Sequence, residues 1–188
     1  MLYAGLMDRR TTSKSLGFAW HRGQIVDRFR AVNVEYYGNP SEFALQALNH
    51  LVAIGKARCR PQQTIQRQHG TIGYVLHYIR RGQYWHRLKG REFRVGAGGA
   101  CLLDMSEPFA QGNDQRRTAD LWWICFNGPE LPRIAARLGG DRDPVFAHIP
   151  RRRFQGLFRQ LWTLAVRKPP AHEARCHAVL TAILAELF

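Results

Sequence analysis

Short apolar runs, separated by turn residues, fill the middle of the chain between residues 50 and 128. The runs are HLVAIGKARC (50–59), TIGYVLHYIRR (71–81), QYWHRLKGREFRV (83–95), GACLLDM (99–105) and DLWWICFNG (120–128). Their lengths are typical of β-strands, and Gly, Pro and Asn lie between them. Lys89-Gly90 indicates a tight hairpin because glycine readily adopts a positive φ. The pattern predicts an antiparallel barrel or sandwich.

After residue 128 the apolar positions follow a helical period. Residues 129–140 predict a short helix that ends at a Gly-Gly pair, and 151–168 and 171–188 predict two longer helices separated by Pro169-Pro170. The last helix is apolar on more than one face, which predicts a dimer interface. Its members are Cys176, Val179, Leu180, Ile183, Leu184 and Leu187. The alternative is that the preceding helix of the same chain covers them.

These patterns divide the chain into three parts: an N-terminal arm (1–44), a barrel (45–148) and a helical hairpin (149–188). The start of the chain is too short and too soon charged for a secretory signal, and no run approaches the ~18 apolar residues of a membrane span. The four cysteines are far apart and show no metal-knuckle spacing. We therefore expect a cytoplasmic protein with reduced, buried thiols. The uncapped last helix is typical of a chain cut at a helix end.

The chain has a net charge of +14, which raises the possibility of nucleic-acid binding. The excess is spread evenly, with +5, +4 and +5 in residues 1–60, 61–128 and 129–188. The sequence shows no recognition-helix, zinc-finger or aromatic sheet motif. The charge is therefore interpreted first as a solvated surface.

The glycine-rich run RVGAGGACLLDMSEPFAQG (94–112) could indicate either a phosphate-binding loop or a turn between strands. The run lacks the third glycine of the Gly-x-Gly-x-x-Gly motif that binds dinucleotides. It also contains no Gly-Lys-Ser/Thr, which a P-loop requires. The residues after Gly99 form an apolar stretch of strand type. The run is therefore interpreted as a barrel corner.

From GYVLHYIRRGQYWHRLKGREFRVGAGGACLLDMSEPFAQG (73–112) through LWWICF (121–126) to the two helices, the chain resembles the cupin-like sensor domain of AraC-type transcription regulators. The resemblance covers residues 45–188. It implies a mainly β fold, a cupin-like antiparallel β-barrel of jelly-roll type followed by a two-helix hairpin. It also implies a small-molecule effector, a homodimer, and DNA binding through a helix-turn-helix half that these residues lack.

The alternative function is that of a cupin-fold enzyme, such as an isomerase or dioxygenase. Metal-binding cupins use a His-x-His pair, a glutamate and a later histidine. This chain has His77 at the first of these positions, but Ile79 occupies the position of the second histidine and Phe109 occupies that of the later histidine. No acid–base pair is evident either. We therefore expect no metal, no cofactor and no catalysis, with His77 and His86 packed or solvated.

In sugar-sensing members of the family, an arginine before the Gly-Tyr strand holds the ligand, and a tryptophan on the last barrel strand stacks on it. Arg67 and Trp123 match these positions, whereas Lys56, Leu121 and Gln111 replace the family's threonine, histidine and tyrosine. The resemblance thus predicts a ligand site of these five residues for a different sugar, a sugar acid or another small polar molecule. Lys56 beside Arg67 would favour an anion. The alternative places Arg67 on the surface and Trp123 in the core.

Overall fold

The computed structural model describes residues 25–27, 34–67, 73–113, 116–140 and 142–188. Strands are labelled β1 to β11 and helices α1 to α4 in chain order. The larger sheet has seven strands, in the spatial order β1 (Ile25–Asp27), β2 (Val34–Tyr37), β3 (His50–Cys59), β10 (Ala119–Asn127), β5 (Tyr74–Arg81), β8 (Ala100–Asp104) and β11 (Val145–Phe146). The smaller sheet has four, in the order β4 (Thr64–Arg67), β9 (Phe109–Asn113), β6 (Gln83–Leu88) and β7 (Arg91–Gly96). The helices are α1 (Glu42–Ala47), α2 (Leu131–Arg137), α3 (Arg151–Arg167) and α4 (His172–Ala185).

The mainly β, cupin-like architecture and the C-terminal helical hairpin are confirmed, but the closed barrel is not. The described strands form two separate antiparallel sheets that face each other as a sandwich. The hairpin turn is where the sequence indicates it, with φ values of 49° at Lys89 and 76° at Gly90. Strands β4 and β9 and helix α1 were not expected, because each is only four to six residues long and too short to show an apolar period.

The larger sheet also takes in residues that the sequence assigns to the N-terminal arm. β2 pairs with β3, and the side chains of Glu35, Tyr36 and Tyr37 are buried. Most of the predicted arm lies outside the described residues. The ordered sheet therefore begins before residue 45, within the segment 1–44.

Helices α3 and α4 cover the outer face of the larger sheet. Side chains alternate along a strand, so β10 directs Trp122 outward and Trp123 inward. Phe154 and Phe158 of α3 are fully buried against this face, and the rings of Trp122 and Phe158 stack with centroids 4.4 Å apart. This contact makes the hairpin part of the main hydrophobic core. Within the described residues, no helix is long and apolar enough to cross a membrane.

The residues predicted to form a dimer interface are inside the chain. Their exposed fractions run from 1% to 7%, and all belong to the core between the hairpin and the larger sheet. These are Cys176, Val179, Leu180, Ile183, Leu184 and Leu187. The structure thus matches the alternative, in which the same chain covers them. A second copy would have to contact other residues.

Replacing Phe158 tests how much the hairpin stabilises the domain. Phe158→Ala leaves a cavity under Trp122, so we expect the free energy of unfolding to fall by about 3–5 kcal/mol in urea titrations. The control is Phe43→Ala, because Phe43 is 66% exposed. Equal losses in the two variants would contradict the assignment of α3 to the core.

Candidate functional site

The inner face of the larger sheet carries a row of four unlike residues. Trp123 of β10 pairs with Gly55 on one side and with His77 on the other, and His77 pairs with Cys101. Directly paired residues of an antiparallel sheet lie on the same face. Trp123 therefore occupies the centre of the row, between a glycine and a buried imidazole.

The smaller sheet opposes this row with a polar one. His86 of β6 pairs with Gln111 of β9 and with Phe93 of β7. His86 is fully buried and Gln111 is 8% exposed. Apolar residues of both sheets, among them Leu88, Phe109 and Leu121, close the space around them.

The Trp123 indole lies over Gly55 because that residue has no side chain. A Cβ atom at Gly55 would come 2.4 Å from Cζ2 of Trp123, well inside van der Waals contact. Trp123 itself is only partly buried. The glycine thus lets an indole lie flat along the inner sheet face.

The two histidines stack on each other between the sheets. The ring centroids of His77 and His86 are 5.0 Å apart with an interplanar angle of 13°, and the Tyr84 ring packs edge-on against both. Burial lowers the pKa of His77 to about 3. Burial, with a smaller contribution from His77, lowers the pKa of His86 well below its ordinary value. Both imidazoles are therefore neutral near pH 7.

Five buried polar atoms in this interior have no hydrogen-bond partner among the described residues. They are Nδ1 of His77, Nδ1 and Nε2 of His86, Oε1 of Gln111 and Oδ1 of Asn113. Leaving one such group unsatisfied costs about 1–3 kcal/mol, and buried polar groups of folded proteins are normally bonded. Their concentration in one place marks the interior between the sheets as the candidate site for a polar ligand.

The thiol and phenol beside this cluster are protonated. Tyr84 and Cys59 share a side-chain hydrogen bond, and burial raises the pKa of Cys59 to about 11. Burial also raises the pKa of Tyr84 well above its ordinary value. Since the thiolate is the reactive form of cysteine, Cys59 is not an activated nucleophile.

The structure brings three of the five predicted ligand residues together. Trp123, Leu121 and Gln111 line the interior between the sheets. Lys56 does not join them, because it pairs with Trp122 and lies on the helix-covered face. Arg67 ends β4 opposite Phe109, and its side chain lies outside the described residues.

Tyr84, His86 and Asn113 belong to the same interior but were not predicted as site residues. Alternation along QYWHRL (83–88) would have placed Tyr84 and His86 on one face of their strand. Asn113 carried no such signal, because β9 itself was not predicted. Its amide Nδ2 donates to the carbonyl oxygens of Cys59 and Arg117, which leaves only Oδ1 unpartnered.

The described residues do not fit the metal centre of metal-binding cupins. They include no group of three His, Cys, Asp or Glu side chains placed to hold a metal ion. His77 and His86 stack ring on ring, whereas two ligands of one metal direct their nitrogens to a common point.

The buried histidines predict a loss of stability in acid. Their pKa values are lowered in the folded state, so the unfolded chain binds protons first as the pH falls below about 6.5. The free energy of unfolding should then fall by up to about 1.4 kcal/mol per pH unit for each imidazole. Urea titrations between pH 7 and pH 5 on the 188-residue chain and on His86→Phe measure this. The variant should show a shallower dependence, and parallel slopes would contradict the burial of a neutral His86.

Comparison with known structures gives distant similarities. The chain is similar to YhaK from Escherichia coli (15% identity, TM-score 0.46, covering 52% of this chain and 45% of YhaK). It is also similar to the cupin-2 domain of an XRE family transcriptional regulator from Enterobacter cloacae (13% identity, TM-score 0.39, covering 52% of this chain and 98% of that domain). A third similar structure is a variant of apo ToxT from Vibrio cholerae (9% identity, TM-score 0.49, covering 76% of this chain and 57% of ToxT). The chain thus spans less than half of YhaK. A search of curated proteins found no match.

The family model of the AraC-like ligand binding domain matches residues 50–187, well over half of the chain. The match begins with β3 and ends just after α4, so it takes in the interior between the sheets and the helical hairpin. The resemblance inferred from the sequence is thereby confirmed. The chain belongs to the family of AraC-like ligand-binding domains.

Proposed function

We propose that this domain senses a small polar effector between its two sheets and thereby controls a DNA-binding helix-turn-helix unit of a transcription regulator. The observation that carries the proposal is the cluster of buried, unpartnered polar atoms on His77, His86 and Gln111 beside the Trp123 indole. Ligand pockets are typically apolar walls with a few placed polar groups. Membership of a family of ligand-binding domains supports this interpretation.

The chemistry of the interior suits a sugar. The indole offers a flat apolar surface, on which the C–H face of a sugar ring can lie. A neutral imidazole has one donor and one acceptor nitrogen, and the Gln111 side chain offers a carbonyl oxygen. Hydroxyl groups both donate and accept, so a polyhydroxylated ligand can satisfy all of these atoms.

The position of Lys56 changes the expected charge of the effector. That lysine lies on the other face of the larger sheet and gives no reason to prefer an anion. Arg67 is then the remaining predicted cation, since a guanidinium can hold a carboxylate through two parallel hydrogen bonds. We propose a neutral sugar as the first candidate and a sugar acid held by Arg67 as the second.

The effector would act by linking the two sheets. Trp123 belongs to the larger sheet, whereas His86 and Gln111 belong to the smaller one. A ligand that contacts both favours the arrangement in which the sheets are correctly spaced. Its effect on the DNA-binding unit can be no larger than its difference in affinity for the two arrangements.

Calorimetric titration with a panel of sugars and sugar acids tests the site. We expect Trp123→Ala and Gln111→Ala each to weaken binding of the active compound about tenfold or more, because each removes a contact worth about 1.5 kcal/mol. Arg67→Ala should weaken a sugar acid far more than a neutral sugar.

Trp85→Ala is the matched control for Trp123→Ala. The Trp85 indole also lies over a glycine, Gly112, but it is on the outer face of the smaller sheet. Its removal should leave affinity unchanged. Binding that survives both Trp123→Ala and Gln111→Ala would place the site elsewhere.

We further propose that the domain forms a homodimer through the exposed face of α4. The predicted apolar residues are internal, but Ala178 and Thr181 are exposed, and their short side chains allow close approach of a second helix. Sedimentation at high micromolar concentration should show a dimer that Ala178→Arg dissociates. Ala136→Arg, on the exposed face of α2, is the control. A monomer of the unaltered chain would contradict the proposal.

A further inference from the structure

Two cations lie over one indole, on the face of the larger sheet opposite the interior, and a third is carried by the helix that covers this face. The Nζ atom of Lys56 is 5.1 Å from the centroid of the Trp122 ring and 5.5 Å from that of Trp162. The guanidinium carbon of Arg80 is 4.7 Å from the Trp122 centroid. Arg159 of α3 follows Phe158, whose ring stacks on Trp122, and its charge, with that of Arg80, lowers the pKa of Lys56.

This group, named here the cation–indole cluster (Lys56, Arg80, Arg159, Trp122 and Trp162), has no carboxylate of its own in the described part of the chain. The ion pairs found there involve neither Lys56 nor Arg80 nor Arg159. By contrast, Arg58, two residues along β3 from Lys56, pairs with Asp120 at 2.7 Å. The cluster is thus a local excess of three positive charges.

Lys56 stands in an environment that disfavours its positive charge. Burial lowers the pKa of Lys56, and the charges of Arg80 and Arg159 lower it further. Lys56 is half-buried between two indoles, whereas Arg80 and Arg159 are exposed. Cation–π contacts offset part of the repulsion, but a bound anion would offset it more fully.

We propose that the cation–indole cluster is a binding site for a small phosphate-bearing ligand. The guanidinium groups of Arg80 and Arg159 can each donate two parallel N–H hydrogen bonds to phosphate oxygens, and the Lys56 ammonium adds a positive charge. Three cations suit a dianion better than a single carboxylate.

The geometry favours a compact anion over a nucleic-acid backbone. Duplex phosphates are distributed along the helix axis, so a protein that follows them spreads its cations over a surface. Here Lys56 and Arg80 lie over the same indole, and Lys56 is partly recessed. The ligand would also join helix α3 to the larger sheet, because Arg159 is on α3 and the other two cations are on β3 and β5.

Titration calorimetry with inorganic phosphate tests the proposal on the 188-residue chain. At about pH 8 phosphate is mainly a dianion, and sodium chloride of equal ionic strength controls for screening. We expect saturable phosphate binding that Lys56→Gln, Arg80→Gln and Arg159→Gln each weaken about tenfold, since each removes a charged hydrogen-bond donor. Arg58→Gln is the matched control, because it removes the same charge from a residue that is already paired, and it should bind as the unaltered chain does.

Three results would overturn the site. Phosphate could give no more heat than chloride, or the three variants could bind phosphate as Arg58→Gln does. A duplex oligonucleotide could bind more tightly than phosphate and lose that binding in Arg159→Gln, which would assign the cluster to a nucleic acid. Arg159 is exposed on α3, so its variant reports on the site even if Lys56→Gln fails to fold.

Discussion

The alternation of side chains along β10 is the constraint on which the rest of the molecule depends. Two adjacent tryptophans on this strand point in opposite directions, because successive residues of a strand face opposite sides of the sheet. Trp122 stacks on Phe158 and anchors the helical hairpin. Trp123 lies over Gly55 and faces the polar interior. The two faces of β10 therefore contribute to different cores: one is covered by the helices, and the other is the polar interior between the sheets. A register shift of one residue would exchange the residues that face them.

Much of the fold could be predicted from local patterns, because those patterns repeat over long segments. Short apolar runs of strand length mark β3, β5, β8 and β10, and a helical period of apolar residues marks α3 and α4. The pattern could not decide between a barrel and a sandwich, since closure depends on which strands pair at the edges. β4 and β9 escaped prediction because they are short and because Gln, Gly and Asn interrupt any apolar alternation in them.

The candidate site was only half predictable. The family resemblance located Trp123 and Gln111, which the structure places between the sheets. It gave no means of assigning faces, and Lys56 lies one residue from Gly55 but on the opposite side of the sheet. The partnership of His77 with His86 is equally invisible in the sequence, because it joins strands of two different sheets. Buried polar atoms without partners become apparent only in three dimensions.

The two places where an indole lies over a glycine have a consequence for sequence variation. Gly55 accommodates Trp123, and Gly112 accommodates Trp85. In each pair the space that one residue gives up is the space that the other fills, so neither position is free to vary alone. Across related sequences the members of each pair should change together, with a larger residue at the glycine accompanying a smaller one at the tryptophan. At the Gly55–Trp123 pair, such paired exchange would reshape the interior between the sheets, whereas at Gly112–Trp85 it would alter only the outer face of the smaller sheet.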